Sequence, residues 1–213
     1  MNELAIRTLT GAILVMIALL AAYVGDDIFA ILVAAAASAM FYEWLRMNRG
    51  WGWYVTGFFY ALLPALALLW IRERDTHGLA LLIWVFVVTW STDIGAYFAG
   101  RRFGKHKLAP SISPNKTREG LYGGMVAATL FGGAWALGAG LGKPLLSFPP
   151  LFAIAAQMGD LFESWMKRRA GVKDSGTLIP GHGGLLDRID GLVAVLVVVA
   201  VVRLLVGGAW PWT

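Results

Sequence analysis

The chain has 213 residues, 58% of them hydrophobic and 15% charged, with a formal charge of +5. A soluble domain is about 45–50% apolar and about 25% charged, so lipid is the main solvent here, and the continuous apolar runs lack the in–out alternation of a membrane β-barrel. There is no cysteine, which excludes disulfides, thiolate metal sites and a cysteine nucleophile.

Several runs reach the ~20 apolar residues that cross a bilayer. They predict an all-α polytopic transmembrane helical bundle of about seven spans: Leu4–Val24, Ile28–Leu45, Tyr54–Trp70, Leu79–Phe98, Leu121–Leu141, Pro149–Trp165 and Ile189–Val206. The first run exceeds the apolar core of a secretory signal and more spans follow, so it reads as a retained helix. Pro64 is expected to kink the third span, which neighbouring helices tolerate. No repeat or linker divides residues 1–213, which read as one membrane domain.

The basic residues set the orientation. Fourteen of the 18 lysines and arginines fall at Arg7, at Arg46 and Arg49, in the loop 99–120 and in the loop 166–188. Arg72, Arg74 and Lys143 fall on the other side, and Arg203 near the end of the last span. The positive-inside rule therefore puts the long loops after spans four and six in the cytoplasm, with Trp210 and Trp212 in an outer interfacial belt. Basic residues confined to loops argue against nucleic acid as a partner and for an anionic lipid surface or phosphate-bearing substrates.

An ionisable residue inside a span marks a functional site by default. Asp93 and Asp160 each lie seven residues before the cytoplasmic end of a span, about 10 Å deep, so one polar cavity open to the cytoplasm can hold both. Asp160, Ser164 and Lys167 share a helix face at i, i+4 and i+7, while Leu161, Phe162 and Trp165 point to lipid or packing. Asp187 and Asp190, three apart at the start of the last span, can face the same cavity and complement the helix dipole. Glu43, at the inner end of span two, reads as an interfacial anchor or local ion pair.

The loop 99–120 ends in Ser113-Pro114-Asn115-Lys116-Thr117, a turn-forming run whose lysine, hydroxyls and amides suit phosphate oxygens. Arg101, Arg102, Lys105 and Lys107 fit a positive-inside loop that attracts anionic lipid. The segment Ser164–Asp190 is a polar island between apolar runs, with five basic residues, three aspartates and one histidine. Its Lys173-Asp174 and Pro180-Gly181-His182-Gly183-Gly184 are neither a Walker A nor a dinucleotide fingerprint. Carboxylates suit Mg²⁺ and basic groups neutralise a polyphosphate, so the island reads as a phosphate and metal site. His182 is placed to contact substrate or hold the loop; His77 and His106 read as incidental.

These residues resemble the phosphatidate cytidylyltransferase (CDP-diacylglycerol synthase) family. The C-terminal signature S-x-x-K-R-x4-K-D, P-G-H-G-G and D-R-x-D is matched by Ser164, Lys167, Arg168, Lys173, Asp174, Pro180 through Gly184, Asp187, Arg188 and Asp190. A second block comprises Asp93, Ala96-Tyr97, Gly100-Arg101, Gly104, Ser113 through Thr117 and Glu119-Gly120, so residues 91–191 form the motif-bearing catalytic half; Tyr42-Glu43-Trp44 extends the likeness weakly. The resemblance implies that CTP and phosphatidic acid give CDP-diacylglycerol and pyrophosphate in phospholipid biosynthesis. It implies Mg²⁺, with K⁺ as an optional second cation, held by Asp160 and Asp187 with Asp190 beside them. It further implies catalytic roles for Asp160, Asp187, Lys167, Lys173 and Asp174. Substrate contacts are implied for Asp93, Arg101, Ser113, Asn115, Lys116, Thr117, Ser164, Arg168, His182, Gly183 and Arg188. The setting implied is a bacterial inner membrane with the site facing the cytoplasm, and a homodimer stays open as the assembly. Many relatives are longer, with extra helices at the N-terminal side.

Three alternatives compete with this expectation. One is a related enzyme acting on an ether-linked isoprenoid phosphatidate. A cation-coupled transporter using Asp93 and Asp160 leaves the glycine–histidine loop unexplained. The CDP-alcohol phosphatidyltransferase motif fails at Asp190-Gly191-Leu192-Val193-Ala194-Val195, which lacks its arginine.

Overall fold

A computed structural model of the chain describes residues 3–73, 77–181 and 183–206. Arg74, His182, Trp210 and Trp212 lie outside the described residues. The helices are α1 (Glu3–Val24), α2 (Asp26–Met47), α3 (Trp51–Arg72), α4 (Gly78–Phe103), α5 (Arg118–Gly138), α6 (Pro149–Ala170) and α7 (Leu186–Val206). At 1.5 Å per residue, 21–26 residues reach across the ~30 Å hydrocarbon core. By length and composition α1 to α5 are apolar enough to span it, and the chain is an integral membrane protein. α6 and α7 have the same length but carry the acidic and basic residues of the polar island. α3 runs unbroken through Pro64.

The segment 99–120 is not an open loop. α4 continues to Phe103, and two short antiparallel strands follow, β1 (Lys107–Ala109) and β2 (Ser113–Thr117), with Lys107 paired to Thr117 and Ala109 to Ser113. Lys116 therefore sits in a strand rather than a turn. Thr117 ends the hairpin and starts α5, its side chain accepting a hydrogen bond from Gly120 N at 3.1 Å, as an N-cap threonine does. Glu119 in the first turn of α5 accepts from the amides of Lys105 and His106 and meets His106 Nδ1 at 2.7 Å. His106 thus pins the hairpin to α5.

Small residues set how closely the helices approach. A side-chain carbon at Gly123 would strike Ala99 and the Gly95 carbonyl, and one at Gly124 would meet Thr92. A carbon at Gly120 would meet the Ala96 carbonyl and Gly100. This seam clamps α4 to α5 by backbone approach, the packing mode that works where lipid removes the hydrophobic drive between helices. α6 and α7 meet in the same way, with Gly159 against the Asp190 carbonyl and Ala194, and Gly191 against Ala156. The apolar core lies between α4, α6 and α7, around Trp84, Val88, Phe152, Ala156, Leu196 and Val199. Trp84 Nε1 and Trp135 Nε1 donate to the Gly132 and Ala80 carbonyls at 3.0 and 2.9 Å, tying α4 and α5 together again.

At one end of the bundle Arg72 donates to the Ala22 and Tyr23 carbonyls, closing the C-terminus of α1. The other end gathers the α2–α3 turn, the hairpin, the segment 171–185 and the first turns of α1, where Thr10 Oγ1 donates to the Pro180 carbonyl at 3.3 Å. An aromatic wall flanks this end: Trp44 meets Trp53, Tyr60 and Phe162 at tilted angles, Trp165 meets Trp53 and stacks on Phe162, and the Arg169 guanidinium lies 4.2 Å from the Trp53 ring centroid. Phe162 and Trp165 serve packing here.

The α4–α5 seam yields a prediction. Gly123→Val should cost about 1–3 kcal/mol, the usual penalty for overpacking. Gly138→Ala, at a helix position facing open space, should stay within about 0.5 kcal/mol of the parent. Thermal unfolding of both variants in detergent micelles checks the contrast.

Candidate active site

The site is built on one face of α6, where Gln157, Asp160, Ser164 and Lys167 follow one another at helical spacing. At its upper end Lys116 reaches across from β2. Its Nζ lies 2.6 Å from Asp160 Oδ2 and donates to Gln157 Oε1 at 2.7 Å. Ser164 Oγ touches Asp160 Oδ1 at 3.4 Å. The hairpin can deliver Lys116 there because Thr117 is fixed against Gly100 and Gly104 at the end of α4. Asp93, Tyr97, Arg101, Asn115, Lys116 and Asp160 are among the residues lining a cavity of about 540 Å³. Arg101 stands on its rim, donating to Tyr97 Oη at 3.0 Å.

Two turns further along α6, Lys167 Nζ lies 2.7 Å from both Glu163 Oε2 and Asp187 Oδ1. Asp187 Oδ2 accepts from Ser175 N at 2.8 Å, Ser175 Oγ at 2.9 Å and Gly184 N at 2.8 Å. Asp190, one turn into α7, is close enough to Asp160, Asp93 and Lys116 to feel their charges. Asp187 is paired with Lys167, whereas Asp190, which does not line the Lys116 cavity, lies within the fields of both Asp160 and Glu163 and so stands between the two groups.

Most of the expected site residues collect in these two groups. Asp93, Arg101, Asn115, Lys116, Thr117 and Asp160 share the cavity, and Lys167 joins Asp187. Thr117 is buried and its hydroxyl is used as the α5 cap. Ser113 is half-buried on the hairpin and does not line the cavity. Arg168, Lys173, Asp174 and Arg188 are exposed. Gly183 takes a left-handed φ of 86° and accepts from Ile179 N at 2.9 Å, with the Asp174 side chain packed where a Cβ would stand. His182 lies outside the described residues.

Four residues enter that sequence reasoning missed: Gln157, Glu163, Ser175 and Glu43. Gln157 and Glu163 sit beside Asp160 on α6, so the helical spacing already pointed to them. Glu43 is buried rather than an interfacial anchor, and among the described residues it forms no ion pair. It is fully buried, and its carboxylate accepts from the amides of Leu185 and Leu186 at the start of α7. No short-range pattern signals a contact between residues so far apart in the chain.

The donor set fits a hard cation. Asp93, Asp160 and Asp190 bring carboxylate oxygens within one another's field, and Glu163 Oε1 is buried with no hydrogen-bond partner among the described residues. Among the described residues no three acidic or histidine side chains gather into a ready-made metal cage.

Over residues 48–206 the chain matches the profile of the cytidylyltransferase family, and it belongs to that family. Among its curated relatives, a phosphatidate cytidylyltransferase of Brucella suis is 48% identical over 167 residues, covering 76% of this chain and 60% of the relative. The Bacillus subtilis protein of that name is 48% identical over 129 residues, covering 59% of this chain and 48% of the relative. That of Haemophilus influenzae is 46% identical over 125 residues, covering 55% and 43%. The chain therefore spans about 60% of the length of the first relative and less than half of the other two.

Lys167 pairs with two buried carboxylates, so its loss should be costly. Lys167→Met should destabilise the protein by about 3–5 kcal/mol, as removal of one partner of a buried pair does. Adding Glu163→Gln should recover part of that loss. Thermal unfolding of the single and double variants in micelles tests both expectations.

Proposed function

We propose that this chain is a phosphatidate cytidylyltransferase, transferring CMP from CTP to phosphatidic acid to give CDP-diacylglycerol and pyrophosphate. The observation that carries this reading is the Lys116–Asp160 pair lining a cavity, with Asp93 and Arg101, in a membrane protein of the cytidylyltransferase family. The name borne by the Brucella suis, Bacillus subtilis and Haemophilus influenzae relatives supports the choice of substrate.

In this mechanism an oxygen of the lipid phosphate attacks the α-phosphorus of CTP. A new P–O–P bond forms, the bond from the α-phosphorus to the bridging oxygen breaks, and the electron pair leaves with pyrophosphate. No general base is required, because a phosphate nucleophile is already largely ionised at neutral pH. The protein's task is positioning and charge neutralisation. Lys116 and Arg101 take phosphate oxygens from the hairpin side, and Asn115 offers a further donor. Lys167 holds Asp187 in place, and Arg168, Lys173 and Arg188 supply positive charge on the water side. Asp160 and Asp187, with Asp190, would hold Mg²⁺, which offsets charge on the triphosphate and its leaving group when bound. The acyl chains stay in the bilayer, so a site at the membrane face serves a water-soluble nucleotide and a lipid together. We assign the hairpin and the segment 171–185 to the cytoplasmic side of a bacterial inner membrane, on the strength of the lysine and arginine distribution.

Purified protein given α-labelled CTP, phosphatidic acid and Mg²⁺ should move label into the organic phase, while γ-label stays in water as pyrophosphate. Asp187→Asn should abolish both transfers, leaving helical content and elution volume unchanged. Near-normal turnover by that variant contradicts the role of Asp187, and no transfer by the parent contradicts the reading as a whole.

A further inference from the structure

We propose that Glu43 of α2 is a positioning residue for Asp187, acting through Ser175 and the first amides of α7. The proposal rests on the reading above, in which Asp187 serves the nucleotide and metal site. Glu43 lies outside residues 48–206, the stretch matched to the family.

The first amides of a helix have no intrahelical acceptor and carry the positive end of its dipole. At the start of α7 three consecutive amides are divided between two carboxylates. Gly184 N donates to Asp187 Oδ2 at 2.8 Å, Leu185 N to Glu43 Oε1 at 2.8 Å, and Leu186 N to Glu43 Oε2 at 2.9 Å. Ser175 Oγ stands between the two acids, 3.1 Å from Glu43 Oε2 and 2.9 Å from Asp187 Oδ2. Its single proton serves one acceptor at a time, while its backbone amide stays on Asp187. Asp187 Oδ2 is therefore held by groups that Glu43 fixes, and Oδ1 is turned toward Lys167.

The fit explains two glycines of the polar island. A side-chain carbon at Gly184 would strike Ser175 Oγ and both Glu43 oxygens, and one at Gly176 would strike Glu43 Oε1. These positions are bare so that a carboxylate from another helix can enter. Glu43 is completely buried, and the acceptor geometry uses both of its oxygens. A glutamine of the same shape would turn an N–H₂ group toward one of those amides, donor against donor.

The test compares Glu43→Gln and Ser175→Ala with the parent in nanodiscs, by amide hydrogen exchange and by steady-state kinetics. Glu43→Gln should speed exchange at Leu185 or Leu186 by about tenfold or more, as expected for a lost charge-assisted bond. It should also raise the Mg²⁺ concentration needed for half-maximal rate by about 10–100-fold, the usual cost of losing an outer-shell partner. Ser175→Ala cuts the link without touching the amide–Glu43 bonds. It should raise the Mg²⁺ requirement in the same direction and leave Leu185 and Leu186 protected, and it decides the question if Glu43→Gln fails to fold. Unchanged exchange in Glu43→Gln overturns the proposal. So does an unchanged Mg²⁺ requirement in both variants with only a lowered Tm, because a merely structural role predicts that. If the parent makes no CDP-lipid, the enzymatic reading fails separately, and the exchange measurement still decides whether Glu43 holds the start of α7.

Discussion

The structure depends on keeping charge inside a helix that packs among the apolar spans of a membrane protein. α6 carries Asp160, Glu163 and Lys167 on or beside one face, and each needs a partner because an unpaired ion away from water is costly. The partners come from elsewhere in the chain. Lys116 arrives on a hairpin to meet Asp160, Asp187 arrives at the start of α7 to meet Lys167, and Lys167 also serves Glu163. These contacts draw the hairpin, α6, α7 and the segment between them to one end of the bundle.

The same arrangement gives the site its chemistry. A cluster whose lysines are already paired within the protein has a defined shape before substrate arrives, and preorganised charge is the main device available to phosphoryl and nucleotidyl transfer. The Lys116–Asp160 pair lines the cavity with a fixed positive and a fixed negative group. Close helix approach along Gly95, Gly123 and Gly124, and again at Gly159 and Gly191, fixes the distances between the elements that carry those groups. Small residues far from the chemistry thereby set its geometry.

Much of this was legible in the sequence, for physical reasons that differ by element. The helices announce themselves through long apolar runs, and the depth of Asp93 and Asp160 follows from counting residues to the helix ends. The partnership of Lys116 with α6 follows from the family motif blocks and the shared cavity they imply. The hairpin was hidden because β1 has three residues and β2 reads Ser-Pro-Asn-Lys-Thr, a turn-like composition; its register is fixed by Glu119 gripping Lys105 and His106. Glu43 was hidden because its partners are backbone amides at Leu185 and Leu186, which carry no side-chain signature. The different neighbours of Asp187 and Asp190 were equally invisible, since three-residue spacing puts both near one helix face without saying which partner each will find.

The most direct test of the account is a double-mutant cycle on Lys116→Met and Asp160→Asn, read by thermal unfolding without ligand. If this pair joins the hairpin to α6, the two substitutions should be coupled by about 1 kcal/mol or more, within the range for residues in contact. Additivity to within about 0.3 kcal/mol, as for independent sites, would contradict it.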